Sequence, residues 1–233
     1  MDRLTDLVTN ANVRSIDDVI ATMRAIDALL PDADGLKWFN LLYLRVTEGV
    51  KNHPPDGGWQ DPAWLERLDV VFAGLYFDAI RDPRRSRAWR PLFQARTRRD
   101  IARIQFAFAG MNAHINHDLA VAVVRTGEER GVVPRRGTPQ HRDFERVNTL
   151  LEAVEEDVKE FLLQGVLREL DGSLGRLDDV LAMWKVRKAR ETAWANAEVL
   201  WQLRSVPFAA ANFLESIERL VGLSGKGLLV PTR

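Results

Sequence analysis

The sequence reads QFAFAGMNAHINHDL from Gln105 to Leu119, where polar residues interrupt a strongly apolar stretch. Apolar residues fall on nearly all sides of a helix drawn through this stretch, which is typical of a helix buried at the centre of its domain. We therefore predict an all-α protein built around a buried central helix at about residues 98–130, closed by Gly131.

Amphipathic runs on both sides of this stretch, separated by short Pro and Gly breaks, predict the surrounding helices. Ser15 and Asp61-Pro62 are typical helix starts. The surrounding helices are predicted at about residues 15–30, 36–50, 61–80, 89–94, 138–170, 177–204 and 207–222. No alternating strand of useful length occurs. We predict a single-domain bundle of seven or eight helices over residues 1–233, allowing for a flexible segment at 1–14 and an extended tail at 224–233.

The composition is that of an ordinary globular protein of 233 residues. Its 33 basic residues balance 33 acidic ones, which argues against nonspecific binding to nucleic acids. The lack of cysteine excludes disulfides, cysteine nucleophiles and thiolate-bound zinc or iron–sulfur clusters. The N-terminus has no signal-peptide pattern, and no apolar run reaches the ~18 residues of a membrane-spanning helix. We expect a cytoplasmic protein with no membrane association.

The polar residues of the central helix fall into two stacked pairs. His114 and Asp118 are four residues apart on one flank, and Asn112 and Asn116 are four apart on the other. At ~100° per residue, His117 points away from both pairs. A buried polar group without a partner costs ~1–3 kcal/mol, so these residues predict a polar network, a metal or a ligand. A hydrogen-bonded histidine–carboxylate pair inside a core explains His114 and Asp118 equally well.

Polar residues inside apolar or aromatic runs also occur on three other predicted helices. These further candidates are Asp69 and Tyr76, His141 and Asn148, and Trp184, Trp194, Glu198 and Trp201. His141 lies close to a predicted helix start, where it is either a ligand or base or equally well a surface cap. The tryptophans share a helix face with Arg187 and Glu191. That face is either a tryptophan-rich core edged by an Arg187–Glu191 pair, or a pocket with aromatic walls and a carboxylate inside it.

The chain carries none of the common catalytic motifs. It has no Walker or dinucleotide phosphate loop, no Gly-x-Ser-x-Gly elbow, no His-Glu-x-x-His, and no tandem Glu-x-x-His of the di-iron kind. Its one charge anomaly is the segment from Arg81 to Arg103, with nine arginines against Asp82 and Asp100. The helix from Arg142 to Asp171 leans acidic, so these two segments either neutralise each other in the fold or face water. The alternative is that the arginines dock an anionic ligand or acidic partner.

Several runs resemble the hallmark of an uncharacterised bacterial family that is known only as a domain of unknown function. The runs are AGMNAHIN at 109–116 with Asp118-Leu119, LDVVFA at 68–73, LYF at 75–77, AWRPLF at 88–93, PQH at 139–141, RVN at 146–148, LDDV at 177–180, MW at 183–184, and AW and NAEVLW within 193–201. The resemblance covers about residues 16–230. It implies a single cytoplasmic helical domain and leaves position 117 unfixed, but it brings no activity with it.

We predict a small-molecule enzyme with a buried histidine–carboxylate site. His114 is the base or a metal ligand, Asp118 orients it, and Glu198 is a further acid. The predicted binding residues are Tyr76, Asn112, Asn116, Asn148, Trp184, Trp194 and Trp201. The predicted metal ligands are His114, Asp118, His141 and Asp69.

Histidine and carboxylate ligands suit Zn, Mn or Fe, and metal-assisted hydrolysis is the simplest reaction of such a site. A metal-free acid–base reaction on an apolar metabolite, such as a cyclisation or isomerisation, is nearly as well supported. Two alternatives belong to other classes. One is a non-catalytic helical module that binds an apolar small molecule. The other is an interaction protein that docks an acidic partner through the Arg81–Arg103 segment.

Overall fold

The computed structural model describes residues 2–151 and 186–231, and every regular element in these ranges is a helix. The all-α prediction is therefore confirmed. The helices are α1 (Arg3–Asn10), α2 (Ile16–Leu29), α3 (Gly35–Asn52), α4 (Pro62–Arg81), α5 (Arg90–Ala95), α6 (Arg103–Ala113), α7 (Leu119–Arg130), α8 (described over 139–151), α9 (Val186–Leu203) and α10 (Pro207–Leu228). None of these helices combines the length and the apolarity needed to cross a bilayer.

The predicted helix starts are set by local capping. The Ser15 hydroxyl accepts from the Asp18 backbone N–H at 3.2 Å, and the Asp18 carboxylate accepts from the Ser15 N–H at 3.0 Å, so the two residues form a capping box on α2. Asp61 accepts from the Trp64 N–H at 3.0 Å and caps α4. Gly131 ends α7 in the left-handed conformation, with a φ of 67°.

The predicted central helix is present, but it begins at Arg103 rather than at 98 and is interrupted once. Residues 114–118 form one π-helical turn between α6 and α7. Helix α6 packs against both α3 and α10. Its contact with α3 is close because a Cβ on Gly110 would overlap the Phe39 ring. Nearly every residue of α6 is buried, as the apolar pattern predicted.

The two chain ends are more helical than expected. Residues 3–10 form helix α1, which buries Leu4 and Val8 and packs against α4. Helix α10 continues to Leu228, through a region that we expected to be an extended tail from 224. The glycine predicted to end it serves close packing instead, since a Cβ on Gly222 would lie 2.6 Å from the Arg87 carbonyl oxygen.

Several arginines of the Arg81–Arg103 segment are engaged inside the fold. Their contacts include Arg81 with the Val8 carbonyl at 2.8 Å, Arg87 with Glu215 at 3.0 Å, Arg96 with Asp34 at 3.0 Å, Arg98 with Asp100 at 2.9 Å, and Arg103 over the Trp38 ring at 4.3 Å. These contacts neutralise part of the segment through acids outside the helix predicted at 138–170. Most of that helix lies outside the described residues, so mutual neutralisation of the two segments stays a prediction. Docking of an acidic partner stays a prediction.

Candidate functional site

The carboxylate of Asp118 is the centre of a buried hydrogen-bond network. Its Oδ2 lies 3.0 Å from His114 Nδ1 and accepts from Trp89 Nε1 at 2.8 Å. Its Oδ1 lies 2.7 Å from His117 Nδ1. Burial would raise the pKa of Asp118, but the hydrogen bonds from the two histidines and their charges hold it below its usual value. Asp118 is therefore a fully satisfied carboxylate, in contact with His114 as their spacing predicted.

His117 contradicts the expectation that it points outward. Its side chain is buried, and it shares Asp118 with His114. The helical-wheel argument assumed ~100° per residue, whereas a π turn bonds residue i to i+5 and is wider. The five residues of the π turn, His114 to Asp118, include both histidines and their acid. A local change in helix type thus brings His117 to the same carboxylate.

His114 presents a buried nitrogen that has no hydrogen-bond partner. Its ring is 1% exposed and stacks on Phe72, with centroids 3.6 Å apart and planes 7° from parallel. Because Asp118 faces Nδ1, the proton belongs on Nδ1 and the lone pair on Nε2. Nε2 is buried without a partner in the described part of the chain. Burial lowers the pKa of His114 and outweighs the opposing effect of Asp118, which favours the neutral base.

His114 lines a small cavity between α3, α4, α8, α9 and the central helix. The cavity has a volume of about 50 Å³. Its polar or charged wall residues within the described ranges are Tyr43, Thr47, Asp69, His114 and Arg190, and the rest of the described wall is apolar. An apolar cavity of ~150 Å³ takes up benzene, so this space admits a molecule of only a few heavy atoms.

Asp69, which the sequence singled out, faces this cavity. Burial raises its pKa to about 7; the positive charge of Arg190 opposes the rise and the negative charge of Glu66 adds to it. Its side chain nevertheless keeps some contact with solvent. No hydrogen bond reaches its carboxylate from the described residues. Asp69 is therefore an acid that changes protonation state near neutral pH, in the same cavity as a neutral imidazole.

Arg190 completes the charged wall, and the sequence analysis missed it. The helical stripe pointed to Arg187 and Glu191, which are both exposed. The buried face of α9 instead carries Arg190, Ala193, Trp194, Ala197, Leu200 and Trp201. These six positions follow the i, i+3, i+4, i+7 pattern of a buried helix face, so counting alanines as core residues would have identified it.

The predicted asparagines connect elements, and the structure places none of them on the cavity wall. Asn116 Nδ2 donates to Asn112 Oδ1 at 3.1 Å, and Asn112 Nδ2 donates to the Val221 carbonyl at 2.9 Å, which ties α6 to α10. Asn148 is buried and accepts from Arg190 Nε at 2.7 Å. Tyr76 donates to Asn40 at 3.3 Å inside the core.

The tryptophan face forms a separate cluster. Trp194 Nε1 donates to Glu198 at 3.2 Å, and the His141 ring packs 4.8 Å from the Trp194 ring. Glu198 also accepts from the Arg136 N–H at 3.1 Å. Trp201 lies beneath the guanidinium of Arg204. None of these side chains lines the His114 cavity, so Glu198 stands apart from His114; Trp184 lies outside the described residues.

The four predicted metal ligands do not gather at one point. His114 and Asp69 line one cavity, and Asp118 lies behind His114 on its Nδ1 side. His141 instead lies beside Trp194, 3.4 Å from Glu145. Within residues 2–151 and 186–231, no group of three His, Asp or Glu side chains has an arrangement that would hold a metal ion.

A second cavity lies on the other side of Asp118. It has a volume of about 170 Å³, and its wall includes His117, Ser86, Glu218 and Arg125. Burial alone would lower the pKa of His117, but the hydrogen bond to Asp118 and the charges of Asp118 and Glu218 raise it. The two imidazoles on one carboxylate thus have pKa values shifted in opposite directions.

Comparison with known proteins supports the resemblance seen in the sequence. No curated protein and no solved structure matches the chain. Residues 16–231 match a family that is described only as one of unknown function. The match spans both the central helix and the cavity-lining helices α3, α4 and α9. The chain belongs to this family of unknown function, DUF5995.

Proposed function

We propose that this protein is an enzyme that moves a proton on a small molecule bound in the His114 cavity. His114 Nε2 is the general base and Asp69 is the general acid. The observation that carries the proposal is the Nε2 atom of His114, which is buried, unpartnered in the described part of the chain and backed by the Asp118 carboxylate on the other ring nitrogen.

The protonation states of the two groups suit these roles. The lowered pKa of His114 leaves an imidazole free to accept a proton at neutral pH. The pKa of about 7 at Asp69 leaves a carboxyl that can donate one. Two titratable groups whose environments push their pKa values towards opposite roles are a recurring sign of an acid–base pair. Catalysis by one such positioned group contributes about 10²–10⁴-fold.

The simplest reaction is reversible enolisation of a small carbonyl compound. His114 Nε2 takes a proton from the carbon next to the carbonyl group, and Asp69 gives its proton to the carbonyl oxygen. His114 then returns a proton to a carbon while Asp69 takes its proton back from the enol oxygen, which completes an isomerisation or an exchange and restores both groups. The apolar walls exclude bulk water from the enol, and the volume of about 50 Å³ restricts the substrate to a few heavy atoms.

Metal-assisted hydrolysis needs more donors than this arrangement supplies. His114 Nε2 and the Asp69 carboxylate are the two predicted ligands on the cavity wall, and a catalytic zinc ion usually has three protein ligands. A non-catalytic binding module is the other alternative; it accounts for the cavity but gives no role to the unpartnered Nε2.

Deuterium exchange tests the proposal without knowledge of the natural substrate. Acetone, butanone and pyruvate are incubated with the protein in D₂O, and loss of their α-hydrogen signals is followed by proton NMR. We expect exchange above the buffer rate for at least one compound, and a loss of about 10²-fold or more in His114→Gln. His53→Gln, at an exposed histidine on the C-cap of α3, is the matched control and should keep full activity.

The same assay separates the alternatives. Exchange that survives a chelator agrees with the metal-free proposal, whereas exchange that requires added Zn, Mn or Fe supports a metal site. No exchange by the wild-type protein with any of the three compounds, or equal exchange by His114→Gln, would contradict the proposal.

A further inference from the structure

Arg190 is a buried cation with unused hydrogen-bonding capacity. It is 6% exposed and stacks 4.2 Å over the Phe144 ring. Its Nε donates to Asn148 and its Nη2 to the Phe144 carbonyl, both at 2.7 Å. Both partners are on α8, so one edge of the guanidinium is fixed by that helix.

Among the described residues, nothing bonds to the other edge of the guanidinium. An arginine has five N–H donors, and these two bonds use two of them. Both N–H groups of Nη1 and the second N–H of Nη2 have no hydrogen-bond partner among the described residues. Arg190 lines the same cavity as His114. A planar, pre-oriented guanidinium in this situation is suited to a carboxylate, which accepts two parallel hydrogen bonds.

The charge balance of the cavity favours an anion when Asp69 is protonated. Asp69 and Arg190 are the two cavity groups whose charges act on each other, and the nearby Glu66 acts on Asp69. Burial lowers the pKa of Arg190 to about 10, so it stays charged at neutral pH. With Asp69 in the acid form that the proposed reaction requires, the described residues of the cavity wall contribute one uncompensated positive charge.

The size and the walls of the cavity define the rest of the ligand. A volume of about 50 Å³ corresponds to a few water molecules, which leaves room for a carboxylate and a short alkyl group. Leu65, Val147 and Ile115 are among the apolar wall residues that such a group would contact.

We infer that Arg190 binds the carboxylate of the substrate and that the substrate is a short-chain oxo acid, whose carbonyl group, separate from the carboxylate, undergoes the enolisation. This inference rests on the proposed function in taking the His114 cavity as the substrate site. Arg190 is then a positioning residue. Its guanidinium binds the carboxylate at one end of the substrate, so that the other carbons are presented to the base, His114. The inference also places the substrate in a narrower class than small carbonyl compounds in general.

Binding of propionate, compared with the neutral propionamide of the same shape, tests the inference. The ¹⁵N-labelled protein is titrated with each compound, and the Nε–Hε signal of Arg190, assigned through Arg190→Lys, is followed by NMR. We expect a saturable shift with propionate and none with propionamide. Arg190→Lys keeps the positive charge but loses the planar guanidinium that can donate two parallel hydrogen bonds. Its affinity for propionate, measured from the NMR signals of the cavity residues, should be about tenfold weaker.

Asp69→Asn provides a test that does not disturb the anchoring of Arg190. Removing the competing carboxylate should tighten propionate binding at about pH 8 by about tenfold, because a nearby negative charge no longer opposes the ligand. Glu66→Gln is the matched control, since Glu66 is exposed on the same helix and does not line the cavity; its effect should be clearly smaller. An affinity that is unchanged in Asp69→Asn contradicts the inference.

Failure of this inference is distinguishable from failure of the proposed function. The inferred carboxylate site would be contradicted if propionate and propionamide bound equally, or if chloride at equal concentration displaced propionate. Neither result would contradict the proposed acid–base catalysis. Specific propionate binding without any deuterium exchange would instead support the carboxylate-binding site and contradict the catalytic proposal.

Discussion

Asp118 and Asp69 are both acids set into apolar helices, yet their surroundings have opposite effects on their chemistry. Asp118 contacts two imidazoles and a tryptophan N–H, and its pKa is lowered. Asp69 has no hydrogen bond from the described residues, and burial raises its pKa to about 7. The comparison shows that burial alone does not define a reactive acid; the number of donors around the carboxylate does.

The same comparison shows which of the two acids stabilises the fold and which one destabilises it. A satisfied carboxylate stabilises the fold and orients its neighbours, as Asp118 does for His114. An unsatisfied one destabilises the fold whenever it is ionised, and such strain is typical of groups kept for binding or catalysis. The stability effects of replacing the two acids should therefore have opposite signs.

Asp118→Asn should have the largest effect. The new amide nitrogen would face N–H donors that the Asp118 carboxylate accepts from, and the two imidazoles would lose the negative charge that they both contact. We expect the free energy of unfolding to fall by about 3–5 kcal/mol in urea denaturation at neutral pH. Asp100→Asn is the control, because Asp100 forms only an exposed pair with Arg98, and its stability should be almost unchanged. Equal losses in the two variants would remove the distinction that we draw for Asp118.

Packing around the two helices that carry the acids should also differ. Gly110 lies one turn before His114, and a Cβ there would overlap Phe39, which in turn contacts the His114 ring. Gly74 lies on α4 after Asp69, with nothing within 4 Å of a Cβ. We expect Gly110→Ala to destabilise by about 2–3 kcal/mol and Gly74→Ala to stabilise by up to about 1 kcal/mol in thermal or urea unfolding. A destabilising Gly74→Ala would mean that α4 is packed as tightly as α6.

His117→Gln tests the contribution of one Asp118 partner through its pH dependence. The folded-state pKa of His117 is raised above its usual 6.5, so its stabilising effect is fully present below about pH 6.5 and is lost as the pH rises through the folded value. We expect a loss of about 1–2 kcal/mol near pH 5.5 and a smaller loss near pH 9. A loss that grows with pH would show that His117 is bound as a neutral ring.

Asp69→Asn should have the smallest effect, and its sign is the informative part. The raised pKa means that the folded state disfavours the carboxylate, so the wild-type protein loses stability relative to the variant between about pH 4 and pH 7. The rise in the pKa of Asp69 from 3.8 to about 7 would correspond to ~4 kcal/mol of lost stability, and the contact of its side chain with solvent reduces this loss. We expect a gain of about 1 kcal/mol near pH 8 and no gain near pH 3. Destabilisation near pH 8 would make Asp69 a structural acid like Asp118.

Features that depend on neighbouring residues in the chain could be predicted from the sequence. Ser15, Asp61 and Gly131 mark helix ends by local hydrogen bonds or by backbone conformation, and the apolar pattern of residues 105–119 identifies the buried centre. The contact of His114 with Asp118 follows from a spacing of four residues. These predictions hold because one helix contains all the atoms involved.

Features that depend on another helix, or on a local change in helix geometry, could not be predicted. Trp89 donates to Asp118 from 29 positions away, and nothing in the sequence near either residue indicates the contact. The π turn that turns His117 inward has no sequence signal that we recognise. Glu198 and His141 look like members of the site because they occur in aromatic runs, but their helices place them around Trp194 instead.

The measurement that tests the central claim most directly is the protonation state of His114, read from ¹⁵N NMR of its ring nitrogens between about pH 6 and pH 8. The account predicts a neutral ring at neutral pH, with the proton on Nδ1, facing Asp118, and an unprotonated Nε2. The midpoint of its titration should lie below pH 6.5. A ring protonated on Nε2, or one charged at neutral pH, would contradict the claim that His114 is a base waiting for a substrate proton.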